Sequence, residues 1–183
     1  FPPGWHSCVR AVSGDATQPM LGLEAPLLAS LRQELTHVIH CAASVDFNLP
    51  VLEAAQANVH SALTVQAFAE SCPGVSHLLS VSTAYVQPHA ADELPEALLP
   101  LPMDAETLWE DLKAGRVSEA QALALCGHPN TYTFTKCLAE HLLLAMLEQD
   151  DAAVTSLLSR AGGQTARLKA ELARAVDGNP KVE

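Results

Sequence analysis

His37-Val38-Ile39-His40-Cys41-Ala42-Ala43 is the stretch whose reading decides the fold. It is short, β-branched and apolar at its centre, which suits a strand buried on both faces. Pro50 opens a helical pattern that runs through Glu70, with Leu52, Ala55, Val59, Leu63, Ala67 and Phe68 near one stripe, and Pro73-Gly74 ends it. Val75 to Val81 then reads as a second buried strand, and Ser82-Thr83-Ala84-Tyr85-Val86 continues past its end. Upstream, Leu23 to Leu35 carries leucines at helical spacing, and Cys8 to Val12 alternates weakly before a Gly14-Asp15 turn, as a short strand would. Strands alternating with helices require crossover connections, so the predicted fold is α/β, a Rossmann-like parallel sheet flanked by helices.

Further along, Gln87 to Pro102 holds four prolines and several acids and reads as a loop. Ala105 to Lys113 and Ser118 to Leu125 read as two short amphipathic helices, and Pro129-Asn130-Thr131 leads into a strong helix from Tyr132 to about Gln149. No internal repeat or low-complexity tract interrupts the pattern.

Composition excludes several classes of function. The 183 residues are 49% hydrophobic and 17% charged, too apolar to stay disordered. Ten Lys and Arg against 21 Asp and Glu give a net charge of −11, much of it between Thr83 and Tyr132, and leave no basic stripe for nucleic acid or an anionic membrane surface. The longest apolar run, Leu142 to Leu147, falls far short of the roughly 20 residues of a spanning helix. Phe1 to Trp5 lacks the basic and apolar regions of a signal peptide. Five widely spaced cysteines with no C-x-x-C pair read as reduced thiols of an intracellular protein. No histidine spacing suggests a metal, so the histidines read as structural.

Two places carry chemistry. Tyr132 and Lys136 are four residues apart in a predicted helix, so their side chains share a face, and an ammonium beside a phenol favours the phenolate. A tyrosine so placed can give or take a proton near neutral pH. Thr83, with Ser82 beside it, falls at the carboxyl end of a parallel strand, where open α/β sheets place their ligands, and a hydroxyl there can hydrogen-bond a carbonyl.

Strand-end Ser-Thr, a later Y-x-x-x-K and an H-C-A-A after the preceding strand resemble the extended short-chain dehydrogenase/reductases. Within them the chain is most similar to the fatty acyl-CoA reductases, the male-sterility type. The resemblance lies in five ordered segments: Gly14 to Leu23, Val38 to Pro50, Asn58 to Ala69, Ser80 to Val86 and His128 to Glu140. The 49 residues from Thr83 to Tyr132, with their helical insertion at 87–127, resemble these reductases more than the sugar-nucleotide members. The resemblance implies NADPH as cofactor and a fatty acyl-CoA substrate, reduced to aldehyde and then primary alcohol. It implies Tyr132 as general acid, Lys136 on the nicotinamide ribose, and Thr83 orienting the carbonyl, with Ser82 as the alternative. Asp15 would accept from the adenine amino group, or simply be a turn aspartate. Cys41, Ala42 and Ala43 would line the cofactor, and Asn58 would support the site by bonding to main chain near the catalytic strand. Membrane association of the full-length protein and its organelle (peroxisome, endoplasmic reticulum surface or plastid) stay open.

The chain departs from the family pattern at both ends. Its nine glycines form no Gly-rich dinucleotide loop, and Gly14-Asp15 matches the end of a third strand. The expectation is therefore one partial domain over 1–183, lacking the first strands and the phosphate loop, with Cys8 to Val12 deprived of neighbours and no micromolar NADPH binding by the chain alone. Val154 to Arg160 reads as a further strand, but 150–183 as a whole diverges, with a charged helix at Gln164 to Val176. Two alternatives remain: a thioester-reductase domain acting on carrier-bound acyl groups, and a Rossmann-like module that binds without catalysis.

Overall fold

β1 (His37–His40) and β2 (His77–Ser80) lie side by side in parallel, His37 opposite His77 and His40 opposite Ser80. Ser76 N–H donates to Thr36 O at 2.9 Å and Val81 N–H to His40 O at 2.9 Å, which adds a rung at each end of the ladder. The structure, a computed structural model, describes residues 3–87 and 97–148. The expected segments at 88–96 and 149–183, including the strand at Val154 to Arg160 and the helix at Gln164 to Val176, lie outside the described residues.

Six α-helices accompany the sheet among the described residues: α1 (Ala25–Glu34), α2 (Val51–Ala55), α3 (Ser61–Glu70), α4 (Ala105–Lys113), α5 (Glu119–Cys126) and α6 (Thr131–Glu148). The predicted helix from Pro50 to Glu70 is realised as α2 and α3 joined by a π turn at Gln56–His60, closed by Ser61 N–H on Gln56 O. Local chemistry sets the ends. Ser118 and Gln121 form a reciprocal capping box on α5, and Gly127 at φ 72° stops that helix in the left-handed region. Asp104 caps α4, and Asn130 Oδ1 accepts from Thr133 N–H at 2.9 Å at the start of α6. Glu119 of α5 accepts from Val51 N–H at 2.8 Å, which puts a carboxylate on the N-terminus of α2.

Two apolar clusters hold these pieces. One joins α2, the π turn, α4, α5 and α6 around Val59, Leu108, Leu112, Phe134, Leu138 and Leu142. The other packs Phe68, Ala69, Cys72 and Val75 with α1 leucines against Val38 and Leu78 on the inner face of the sheet. No helix among the described residues is long and apolar enough to cross a membrane.

Two expectations are corrected. Cys8 to Val12 is not a strand: Trp5–Cys8 makes a turn of 3-10 helix, and residues 9–15 run on without a ladder. An extended segment becomes a strand only by pairing its backbone groups, and β1 and β2 pair only with each other among the described residues. Nor are β1 and β2 buried on both faces. Val38 and His40 face the helices, whereas Ile39 is 66% exposed and Leu79 57% exposed, because the second face carries no helical layer among the described residues.

Candidate functional site

The carboxyl ends of the two strands meet the first turns of α6 at Val81. Val81 N–H bonds back to β1 at His40 O, and Val81 O accepts from Lys136 Nζ at 2.7 Å. One peptide thus joins both strands to the helix that carries Tyr132 and Lys136. Lys136 is buried, 5% exposed, so its charged head is fixed at the strand end rather than free in solvent. Burial pulls its proton affinity below the usual lysine range, against the upward pull of the Glu140 carboxylate and the Cys41 thiol. His40, also buried, is pulled below the usual histidine range by burial and then by the Lys136 charge. Its Nε2 has no hydrogen-bond partner among the described residues.

Tyr132 lies one turn before Lys136, half-buried, with its ring against Phe47 at a centroid distance of 5.4 Å and a tilt of 31°. Phe47 is in turn held through its main chain: Thr131 Oγ1 donates to Leu49 O at 2.8 Å and reaches Phe47 O at 3.5 Å. The segment after β1 is therefore strapped to the start of α6, which orients the phenol ring.

Thr83 ends the extended run after β2 and caps the 3-10 turn Ala84–Val86, its Oγ1 accepting from Tyr85 N–H at 3.3 Å. That bond uses an oxygen lone pair and leaves the hydroxyl proton to donate elsewhere. Ser82 is exposed. No hydrogen bond joins either hydroxyl to Tyr132 among the described residues; the common link between strand end and helix is the Val81 peptide.

Asn58 is the most fully engaged of the expected residues. The π turn carries it into the interior, where Oδ1 accepts from Ser44 N–H at 2.8 Å and Nδ2 donates to Thr135 Oγ1 at 3.0 Å. It thereby ties the Cys41-Ala42-Ala43-Ser44 run to α6 one residue before Lys136. Cys41, Ala42 and Ala43 are themselves exposed beyond the end of β1, and their small side chains leave the backbone approachable. Asp15 is placed differently. It is exposed, and its Oδ1 accepts from Thr17 N–H at 2.8 Å and Thr17 Oγ1 at 2.7 Å, bonds that hold its carboxyl below the usual carboxylate range. The turn is anchored through Thr17 O and His60 Nε2 at 3.1 Å. Asp15 thus has one oxygen engaged by its own loop, and no hydrogen bond joins it to the Lys136 cluster among the described residues.

Sequence reasoning passed over Thr135, Phe47, Ser44 and His40, all of which touch or flank the expected residues. Thr135 carried a readable signal, since it sits between Tyr132 and Lys136 and follows Thr131 by four, on the helix face that must meet α2 and α3. His40 carried none, because burial beside a lysine from a distant helix is a tertiary fact. No group of three or more His, Cys, Asp and Glu side chains that could hold a metal occurs among the described residues.

Residues 4–157 match the NAD-binding family described as male sterility protein. Fatty acyl-CoA reductase 1 of Gallus gallus is 29% identical over 161 residues, covering 86% of this chain and 30% of that protein. Fatty acyl-CoA reductase 1 of Xenopus laevis is 32% identical, and a putative fatty acyl-CoA reductase of Drosophila melanogaster 33% identical, each over 138 residues that cover 74% of this chain and 27% of the relative. The chain thus spans less than a third of the length of these curated relatives. An NAD-binding domain with flanking helices and a small parallel sheet is an α/β Rossmann-like fold, and it takes a nicotinamide dinucleotide.

Proposed function

We propose, on the premise that this chain belongs to the male sterility protein family of fatty acyl-CoA reductases, that it carries the catalytic centre of an NADPH-dependent reduction of a fatty acyl thioester. The single observation that carries this reading is the Lys136 bond to Val81 O at 2.7 Å, which sets a buried cation and its neighbouring tyrosine at the carboxyl ends of parallel strands.

The residues present fit the nicotinamide-ribose end of a dinucleotide. One of the three Lys136 N–H groups is placed on Val81, which leaves two for a ribose diol, and the exposed Cys41-Ala42-Ala43 run lets a cofactor lie against backbone. When bound, NADPH supplies the hydride. Tyr132 gives its phenolic proton to the substrate carbonyl oxygen, and Lys136, held at the strand end, donates to the nicotinamide ribose. Thr83 donates its free hydroxyl proton to the same oxygen. In the thioester step the C–S bond breaks, CoA leaves as thiolate and is protonated, and the aldehyde forms. A second reduction of the same kind gives the alcohol. Phe47 packs against the phenol ring and limits the positions it can take.

The test uses the full-length protein with NADPH, then NADH, and a long-chain acyl-CoA, following loss of absorbance at the nicotinamide band and release of CoA thiol. Tyr132→Phe is expected to lower kcat by about 10²–10⁴-fold with NADPH affinity nearly unchanged. Comparable activity in that variant removes Tyr132 from its role. NADPH binding without thiol release from acyl-CoA overturns the substrate assignment.

A further inference from the structure

The open face of the sheet carries a feature that the site at its other end does not use. His37 and His77 are directly opposed in the parallel ladder, and their rings stack at a centroid distance of 4.9 Å with 2° between planes. Both are exposed. Each Nδ1 is bonded to the hydroxyl of the preceding residue, His37 to Thr36 Oγ1 at 3.0 Å and His77 to Ser76 Oγ at 2.9 Å. The same dipeptide chemistry, hydroxyl then histidine, is thus repeated on two strands 40 residues apart. With Nδ1–H donating to these oxygens, each Nε2 keeps a lone pair. An imidazole whose second nitrogen is held by an oxygen is the usual arrangement of a metal-ligating histidine.

We propose that His37 and His77 form a two-histidine site for a borderline divalent transition ion, of which Zn(II) is the reference case, with water in the remaining positions. Imidazole suits Zn, Cu and Ni, whereas Mg and Ca prefer oxygen ligands. Zn–N bonds of about 2.0–2.1 Å in a tetrahedral site put the two nitrogens roughly 3.3 Å apart. The rings must therefore lean together from the stacked separation, through rotation about χ1 and χ2 of side chains that are both exposed. Two protein ligands give a weaker site than the three or four of structural zinc, with dissociation in the micromolar range. The consequence for the fold is specific. The ion clips β1 to β2 and closes the chain between residues 37 and 77, in a sheet that has two four-residue strands among the described residues, a size that is marginal on its own.

Zn(II) titration of the protein by calorimetry is expected to show one ion per chain, and saturating Zn(II) to raise Tm. His37→Asn and His77→Asn should each weaken binding at least tenfold and remove the Tm rise, the double variant should be no worse than either single one, and His6→Asn should leave binding unchanged. Unaltered affinity in both single variants, or no saturable binding by the wild-type chain, overturns the site. Should a variant fail to fold, substoichiometric Cu(II) added to the wild type answers the same question by NMR. The Hε1 resonances of His37 and His77 should broaden before those of any other histidine, and broadening that starts elsewhere overturns the proposal.

Discussion

Asn58 shows how much one side chain can organise. It is 2% exposed, and it spends an acceptor on Ser44 N–H and a donor on Thr135, so the small-residue run after β1 and the helix of Tyr132 and Lys136 are registered through one amide. Asn58→Ala takes away the acceptor of Ser44 N–H and the donor to Thr135 Oγ1, which keeps its own bond to Thr131 O at 2.7 Å, and is expected to cost about 1–3 kcal/mol in urea unfolding. A change under a few tenths of that would mean the two segments are held without it. The family resemblance anticipated an asparagine bonding to main chain near the catalytic strand, and the observed main-chain bond is to Ser44 in the run after β1. The second bond of Asn58 was not legible in the sequence, since Thr135 is 77 residues away and the pairing depends on the π turn, which no periodicity in Gln56–His60 announces. For Asp15 the sequence left two readings open, and the Thr17 bonds give it the role of a turn residue whatever else its second oxygen accepts.

Among the elements, α6 is the one on which the rest depend. Its inner face presents Phe134 and Leu138, both fully buried, to α2, α4 and α5, while the neighbouring stripe carries Tyr132, Thr135 and Lys136 toward the strand ends. Phe134 is completely buried and meets the His128 ring edge-on at 5.9 Å. Phe134→Ala is expected to destabilise by about 3–5 kcal/mol, measured as a lower urea midpoint with an unchanged m-value. The helices were legible because each carries its own signal of apolar spacing, while the caps Asp104 on α4 and Ser118 with Gln121 on α5 are seen in the structure. The strands were less so. Four-residue runs such as His37–His40 look the same whether one face or two are covered, and Cys8 to Val12 has the composition of a strand without a partner to make it one. Pairing is not a property of the segment that pairs.

For the molecule as a whole, pH acts through a few identifiable groups. His40 is held below its ordinary value near 6.5 by burial and by the Lys136 charge. The unfolded chain takes up this proton more readily than the folded one, so stability is unaffected above that value and falls as pH drops below it. Asp104 and Asp15 are held below the usual carboxylate range by their bonds to Thr107 and Thr17. Their contribution is present above the ordinary carboxylate value and is lost at more acid pH, as they are protonated. Two separate declines are therefore expected in thermal melts between pH 7 and pH 3, and His40→Gln should flatten the first while leaving the second. A first decline unchanged in that variant would assign it to another histidine.

The bond from Lys136 to Val81 joins residues 55 positions apart in the chain. During synthesis, β1, β2 and the turn after them leave the ribosome well before the helix that completes the centre. Until Lys136 has cleared the exit tunnel, the nascent protein holds a strand end whose carbonyl has no cation to bind. A ribosome stalled short of that codon leaves β1 and β2 already made and the link between Lys136 and Val81 unmade.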